Sequence, residues 1–240
     1  MIRLRFQAFA VLLVAVVLGG AASAQQQPPK ISASFYCFRY AKGLEDVYVR
    51  TGDAAFKKIE LSTANMIGPI PVVVEKGFVA VHTIATDGEG KTIYPVAGRA
   101  KVGALRKPLV ILFPGAKGAK LPYDALMLDR SEARFPLGSY KFVNLATFPI
   151  RAAIGKSILK LNPGGVKTLK PKGSPGQMIN VIFEFHDGKQ WRPMTQTRWA
   201  IRPDKRILSC AYLDPTDKRV KLRAIPERLV PPAPKNESKQ

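Results

Sequence analysis

Sulfur and imidazole are scarce in this chain. Its 240 residues include two cysteines and two histidines, and the motifs that need clusters of them are missing. There is no HExxH, no CxxC pair, no G-x-S-x-G elbow and no Gly-rich loop ending in Lys-Ser or Lys-Thr. The nearest approach to a phosphate loop, "PGAKGAK" at 114–120, lacks that ending and a strand-to-helix context, so it reads as a basic turn. Carboxylates are few as well, 17 against 38 lysines and arginines. Glu45-Asp46 and Glu184 with Asp187 are the pairs left for acid–base hydrolysis, a chemistry that needs two opposed carboxyl groups. Solvated strand ends and turns explain them more simply. No apolar run beyond the N-terminus is long enough to span a bilayer.

What is present begins with "MIRLRFQAFAVLLVAVVLGGAASA". Arg3 and Arg5 form a positive start, Ala8 to Leu18 an apolar stretch, and Ala22-Ser23-Ala24 an A-x-A site. This pattern predicts a signal peptide over residues 1–24 cleaved before Gln25, and an exported chain in a periplasmic or extracellular setting. In such a setting Cys37 and Cys210 could pair. Each shares strand parity with apolar neighbours, so two separate buried thiols are the simpler reading.

The mature sequence reads as a tandem repeat. Setting "SFYCFRYAKGLEDVYVRTG" (34–52) on "SYKFVNLATFPIRAAIGKS" (139–157) places Phe35 on Tyr140, Cys37 on Phe142 and Val49 on Ile154. Setting "FVAVHTIATDGEGKTIYP" (78–95) on "MINVIFEFHDGKQWRP" (178–193) brings Asp87-Gly88 onto Asp187-Gly188. The same register carries Leu109 onto Ile207, Val110 onto Leu208 and Lys120 onto Lys218. Asp-Gly between alternating apolar runs is a hairpin signal, with a type I′ turn as the expected geometry. That explains Asp187 without chemistry. The histidines are not repeated: His186 matches Thr86 and His82 matches Ile182, and neither has a second ligand or a nucleophile at a telling spacing.

Short runs such as "MINVIFEF", "TQTRWAIR" and "KRILSCAYL" alternate partially with period two, and turn clusters such as "NPGG" and "KPKGSPG" separate them. The expectation is an all-β chain of two tandem β-sandwich-like (Ig-like) domains, 30–129 and 130–228, with a Pro-rich tail at 229–240. "YDALMLDRSEARF" is the nearest helical candidate, but the repeat register favours a closing strand there. The segment "FPLGSYKFVNLATFPIRAAIGKSILKLNPGG" with the later "W…RPDKRILS" strand resembles a group of uncharacterised bacterial exported proteins. These carry paired β-sandwich-like segments behind a signal peptide. The resemblance implies a β fold and export. It brings no catalytic residue.

Charge is the feature with functional weight. Residues 30–129 hold 14 basic and 9 acidic residues, whereas 130–228 hold 20 and 7. Two clusters dominate the second copy: Lys156, Lys160, Lys167, Lys170 and Lys172 around a turn, and Lys189, Arg192, Arg198, Arg202, Lys205 and Arg206 interleaved with Trp191 and Trp199. Period two puts Trp199 in the core and Arg198 and Arg202 in solvent. These eleven basic residues are the candidate polyanion-binding set. The function expected is that of an exported, non-enzymatic envelope-associated module that binds or scaffolds anionic polymers or acidic proteins. Export argues against nucleic acid as the physiological partner. The rival readings are a carbohydrate-active or other hydrolase and a structural subunit of an envelope assembly. No cofactor or metal is called for.

Overall fold

A computed structural model describes residues 28–115, 118–214 and 217–226. The expected signal segment and the tail at 229–240 lie outside them. All regular structure among the described residues is β. In the first half the strands are β1 (Lys30–Cys37), β2 (Asp46–Arg50), β3 (Phe56–Glu60), β4 (Ile67–Val73), β5 (Phe78–His82), β6 (Ala85–Thr86), β7 (Thr92–Ile93), β8 (Val96–Lys101), β9 (Pro108–Pro114) and β10 (Tyr123–Asp129). In the second half they are β11 (Tyr140–Asn144), β12 (Ile150–Ile154), β13 (Ser157–Leu161), β14 (Val166–Leu169), β15 (Met178–His186), β16 (Trp191–Ala200), β17 (Ile207–Leu213) and β18 (Val220–Pro226). The stretch 123–129 is a strand, as the repeat register favoured.

Four four-stranded sheets result. The first half forms β4-β1-β9-β10 and β3-β2-β5-β8, and the second half forms β14-β11-β17-β18 and β13-β12-β15-β16. The strand orders correspond one for one between the halves. So do the pairing senses: β1 with β9 and β11 with β17 are parallel, and the other pairings within these sheets are antiparallel. In the β2–β5 and β12–β15 pairs the sequence register carries over residue for residue. Val49 faces Val81 across the ladder, and Ile154 faces Val181.

One strand departs from that register. Phe35 lies opposite Val110 and Tyr140 opposite Ile207. Val110 therefore corresponds to Ile207 and not to Leu208, a one-residue slip that exchanges the two faces of β17. Leu208 consequently points away from the core its expected counterpart fills.

The sheets stack in four layers around three apolar cores. The core between the two first-half sheets contains Phe35, Cys37, Val47, Val49, Val79, Val81, Val110 and Leu112. Its second-half counterpart contains Tyr140, Phe142, Ile150, Ile154, Val181 and Phe183, with Trp199 packed against it as period two requires. The third core joins the halves: Tyr36, Phe38, Leu109, Ile111 and Leu128 meet Val143, Leu208, Cys210 and Ile225 around Phe135. The two middle sheets are thus covered on both faces, which is why β9 and β11 bury consecutive residues. Each large apolar side chain so buried contributes roughly 1.5–3 kcal/mol. Cys37 faces the first of these cores and Cys210 the middle one, and both are free thiols.

Polar contacts also cross the middle layer. Arg223 on β18 donates to the carbonyls of Phe38 and Thr63 at 2.8 and 2.7 Å. Lys141 and Arg206 lie on the Phe135 ring, 5.1 and 5.0 Å from its centroid.

Both Asp-Gly pairs sit in hairpins, but neither makes a two-residue type I′ turn. The pair Thr86–Thr92 flanks five loop residues, and His186–Trp191 flanks four. Each aspartate opens its loop, with one carboxylate oxygen accepting two backbone N–H bonds: from Glu89 and Lys91 on Asp87, and from Lys189 and Gln190 on Asp187. The side chain, rather than a mirror-image backbone, closes the turn. Gly188 supplies the positive φ of the second loop at 98°.

Candidate anion-binding face

The outermost sheet of the second half, β13-β12-β15-β16, turns one face to its core and the other to solvent. Ile150, Ala152 and Ile154 of β12 and Ile179, Val181 and Phe183 of β15 are buried. The alternate residues therefore face outward. Cross-strand pairing arranges them in rungs. One rung runs Lys160, Arg151, Glu184, Pro193 from β13 to β16. The next runs Ile158, Ala153, Ile182, Gln196, and beyond it Asn180 lies opposite Arg198. Trp191 closes the first rung: the Arg151 guanidinium stacks 4.5 Å from its ring centroid.

The two lysine and arginine clusters seen in the sequence lie at opposite edges of this sheet. Lys156 and Lys160 belong to the β13 edge, and Lys167, Lys170 and Lys172 lie on and after β14, the neighbouring edge strand of the sheet beneath. Lys189, Arg192, Arg198, Arg202 and Lys205 lie on or beside β16. Three inter-strand steps, about 14 Å, separate the edges. The structure does not merge the clusters into one pocket; it sets them on either side of a face with Arg151 between them.

Not all eleven cations are available. Arg206 is buried, donating to the Phe135 carbonyl at 2.6 Å and reaching Glu132 at 3.4 Å, so it belongs to the junction between the halves and not to a binding face. Arg192 pairs with Asp187 at 2.8 Å and Arg202 with Asp204 through two bonds. Lys156, Lys160, Lys167, Lys170, Lys172, Lys189, Arg198 and Lys205 are exposed and make no ion pair with a described carboxylate.

The corresponding rung of the first half has the opposite sign. Asp46 lies opposite Glu60 on β2 and β3, where the second half has Arg151 opposite Lys160. The next rung, Lys58–Tyr48–His82, corresponds to Ile158–Ala153–Ile182. In the first half two cations of this face are matched, Lys58 with Asp46 at 2.6 Å and Arg50 with Glu75, while Arg99 and Lys101 on β8 are exposed without a described carboxylate partner, Arg99 lying over the Phe78 ring. Aromatic rings fill the remainder: Phe56 stacks on Tyr94 at 4.0 Å and meets the His82 ring edge-on. The same scaffold thus presents at one end an aromatic surface with an acidic rung and two ion pairs, and at the other a basic rung flanked by cations without carboxylate partners. Arg151 belongs to neither basic cluster of the sequence, although the repeat alignment sets it on Asp46.

The carboxylates considered for hydrolysis are engaged elsewhere. Arg151 binds Glu184 through two hydrogen bonds and holds its carboxyl below the usual range. Asp187 is held lower still by the backbone N–H of Gln190, by Arg192 and by Lys189. Both remain ionised, which suits neither to donate a proton at neutral pH. Glu45 and Asp46 border an open depression of about 500 Å³ with Leu44, Tyr48, Thr83 and Ile84, and Asp46 is committed to Lys58. His186 serves the hairpin, its Nδ1 accepting from Gly188 N at 3.1 Å and its ring meeting Trp191 edge-on. Among the described residues no cluster of three His, Cys, Asp or Glu could hold a metal ion. No protein-family model matches the chain, and no curated protein matches it in sequence.

Proposed function

We propose that this chain is an exported, non-enzymatic module that attaches to an anionic polymer of the cell envelope through the outer face and edges of β13-β12-β15-β16. The observation that carries the reading is the sign reversal of one rung, from Asp46–Glu60 to Arg151–Lys160, on corresponding strands of two halves with the same strand order. Folding alone requires neither sign at a solvent-facing rung, so the difference calls for a use. Unpaired exposed cations flanking Arg151 give such a partner several points of attachment at no cost in broken ion pairs. We further infer that the halves, about 30–129 and 130–228, arose by internal duplication, and that the second has taken on the binding role.

Retention on immobilised dextran sulfate tests the reading. Neutralising Lys156, Lys160, Lys167, Lys170 and Lys172 to Gln moves elution to markedly lower salt. Neutralising Lys57, Lys58, Lys91, Arg99 and Lys101 in the first half moves it far less. Equal shifts would sink the assignment to the second half. Export has its own test: the N-terminus of protein recovered from the envelope fraction begins at Gln25.

A further inference from the structure

The rung next to Lys160–Arg151 is apolar, and a soluble polymer gives no reason for it. Ile158 is 71% exposed and Met178 46%, the two most exposed large apolar side chains of the second half among the described residues. Both occupy outward positions of this sheet: Ile158 shares β13 parity with Lys160, and Met178 shares β15 parity with Asn180 and Ile182. The pairs Ile158–Ala153 and Ala153–Ile182 continue the apolar line across three strands. Half-buried Trp191 lies on the other side of the basic rung, stacked on Arg151. Lys156, Lys160 and Arg198 surround the line without carboxylate partners.

We propose that this face docks on an anionic lipid surface. The inference rests on the basic face read above and gives that face lipid headgroups, in place of a soluble polymer, as the anions it meets. A bilayer interface accepts both elements of the face at once. Lysine and arginine heads meet phosphate while their stems, Ile158, Met178 and the Trp191 ring enter the headgroup–acyl boundary. A polyanion in water would use the charges and leave Ile158 wet. The few inserted side chains make the contact peripheral and reversible, and dependent on lipid charge as well as apolar insertion.

Co-sedimentation of the full chain with vesicles decides it, comparing phosphatidylcholine alone with phosphatidylcholine containing phosphatidylglycerol, alongside dextran sulfate retention. Binding to the anionic vesicles only is expected. Ile158→Ser should weaken it about tenfold, the scale of one buried isoleucine, with dextran sulfate elution unchanged. Ile158 is exposed, so the variant folds; Met178→Ser provides a second, independent probe. If dextran sulfate retains the chain but anionic vesicles do not, or if both serine variants bind vesicles like the wild type, the lipid proposal fails and the anion-binding reading stands. If neither partner is bound, both fail. Concentration-dependent self-association abolished by Ile158→Ser would make the face a contact between copies of this chain and overturn the lipid assignment.

Discussion

Arg223 of the last described strand clasps Phe38 of the first half, donating to its carbonyl at 2.8 Å while its guanidinium lies 5.3 Å from the centroid of the ring. A second bond goes to the Thr63 carbonyl, which also accepts from the Tyr36 hydroxyl. One side chain therefore ties residues 160 and 185 positions away to the closing strand. Arg223→Ala leaves these part-buried carbonyls without their charged donor and is expected to cost on the order of 3 kcal/mol. Denaturant melts should show the loss, with Arg223→Lys recovering part of it. A melt identical to wild type would mean the clasp does not form.

The thiols yield a redox prediction. Burial raises Cys37 to about 11 and Cys210 to about 12, so both stay protonated near neutrality. The native chain should resist a thiolate-directed reagent at pH 8 and take up two equivalents once unfolded. An absence of free thiol after unfolding would instead reveal a disulfide and require the cores to rearrange.

His82 makes stability depend on pH. Burial pulls its imidazole below the ordinary range, opposed by the bond from Nδ1 to the Tyr94 carbonyl at 2.9 Å and reinforced by Arg50. The unfolded chain takes up a proton near pH 6.5 and the folded chain does so only lower. The stabilisation is therefore complete above about pH 6.5 and declines as pH falls toward the folded value. Urea melts between pH 7 and 5 should show the decline, and His82→Leu should flatten it. A slope that survives the substitution would assign it elsewhere.

Glu184 restrains the basic face by occupying Arg151. Glu184→Gln should strengthen binding to an anionic surface about fivefold, the increment of one added cation. Moderate salt should reduce the gain, because exposed charges are screened over about 8 Å at physiological ionic strength. His186→Ala should leave retention unchanged, since its ring meets Gly188 and Trp191 within its own hairpin. A binding loss in Glu184→Gln would mean that Arg151 needs its partner to be positioned.

Much of this architecture was legible in the residues, and the exceptions have physical causes. β5 and β15 belong to outer sheets with one wet face, so Val79, Val81, Ile179 and Val181 alternate and set a register in which Val49–Val81 and Ile154–Val181 pair alike. β9 and β17 are buried on both faces, so "LVILF" and "ILSCA" carry too little alternation to fix a register. The slip of Ile207 against Val110 arose there. Arg206 looked like one more turn cation because its partners, Phe135 and Glu132, lie some 70 residues upstream. Arg151 gives no cluster signal for the opposite reason: no basic residue lies within four positions of it in "FPIRAAIGK", and its neighbours on the face come from β13 and β15. A face assembled across strands leaves no cluster in the chain.

The acid and basic rungs lie on the two outermost of four stacked sheets, whose spacing of about 10 Å per layer puts them roughly 30 Å apart. That is several screening lengths at physiological salt, so a charged surface senses only the end nearer to it. The molecule consequently has a preferred orientation before it touches anything. Approach with β13-β12-β15-β16 leading is attractive, while approach with Asp46 and Glu60 leading offers little. A population tethered to an anionic surface would stand in one polarity, with the aromatic patch of Tyr48, Phe56 and Tyr94 directed outward. Labels placed at Lys58 and Lys160 would report opposite distances from that surface.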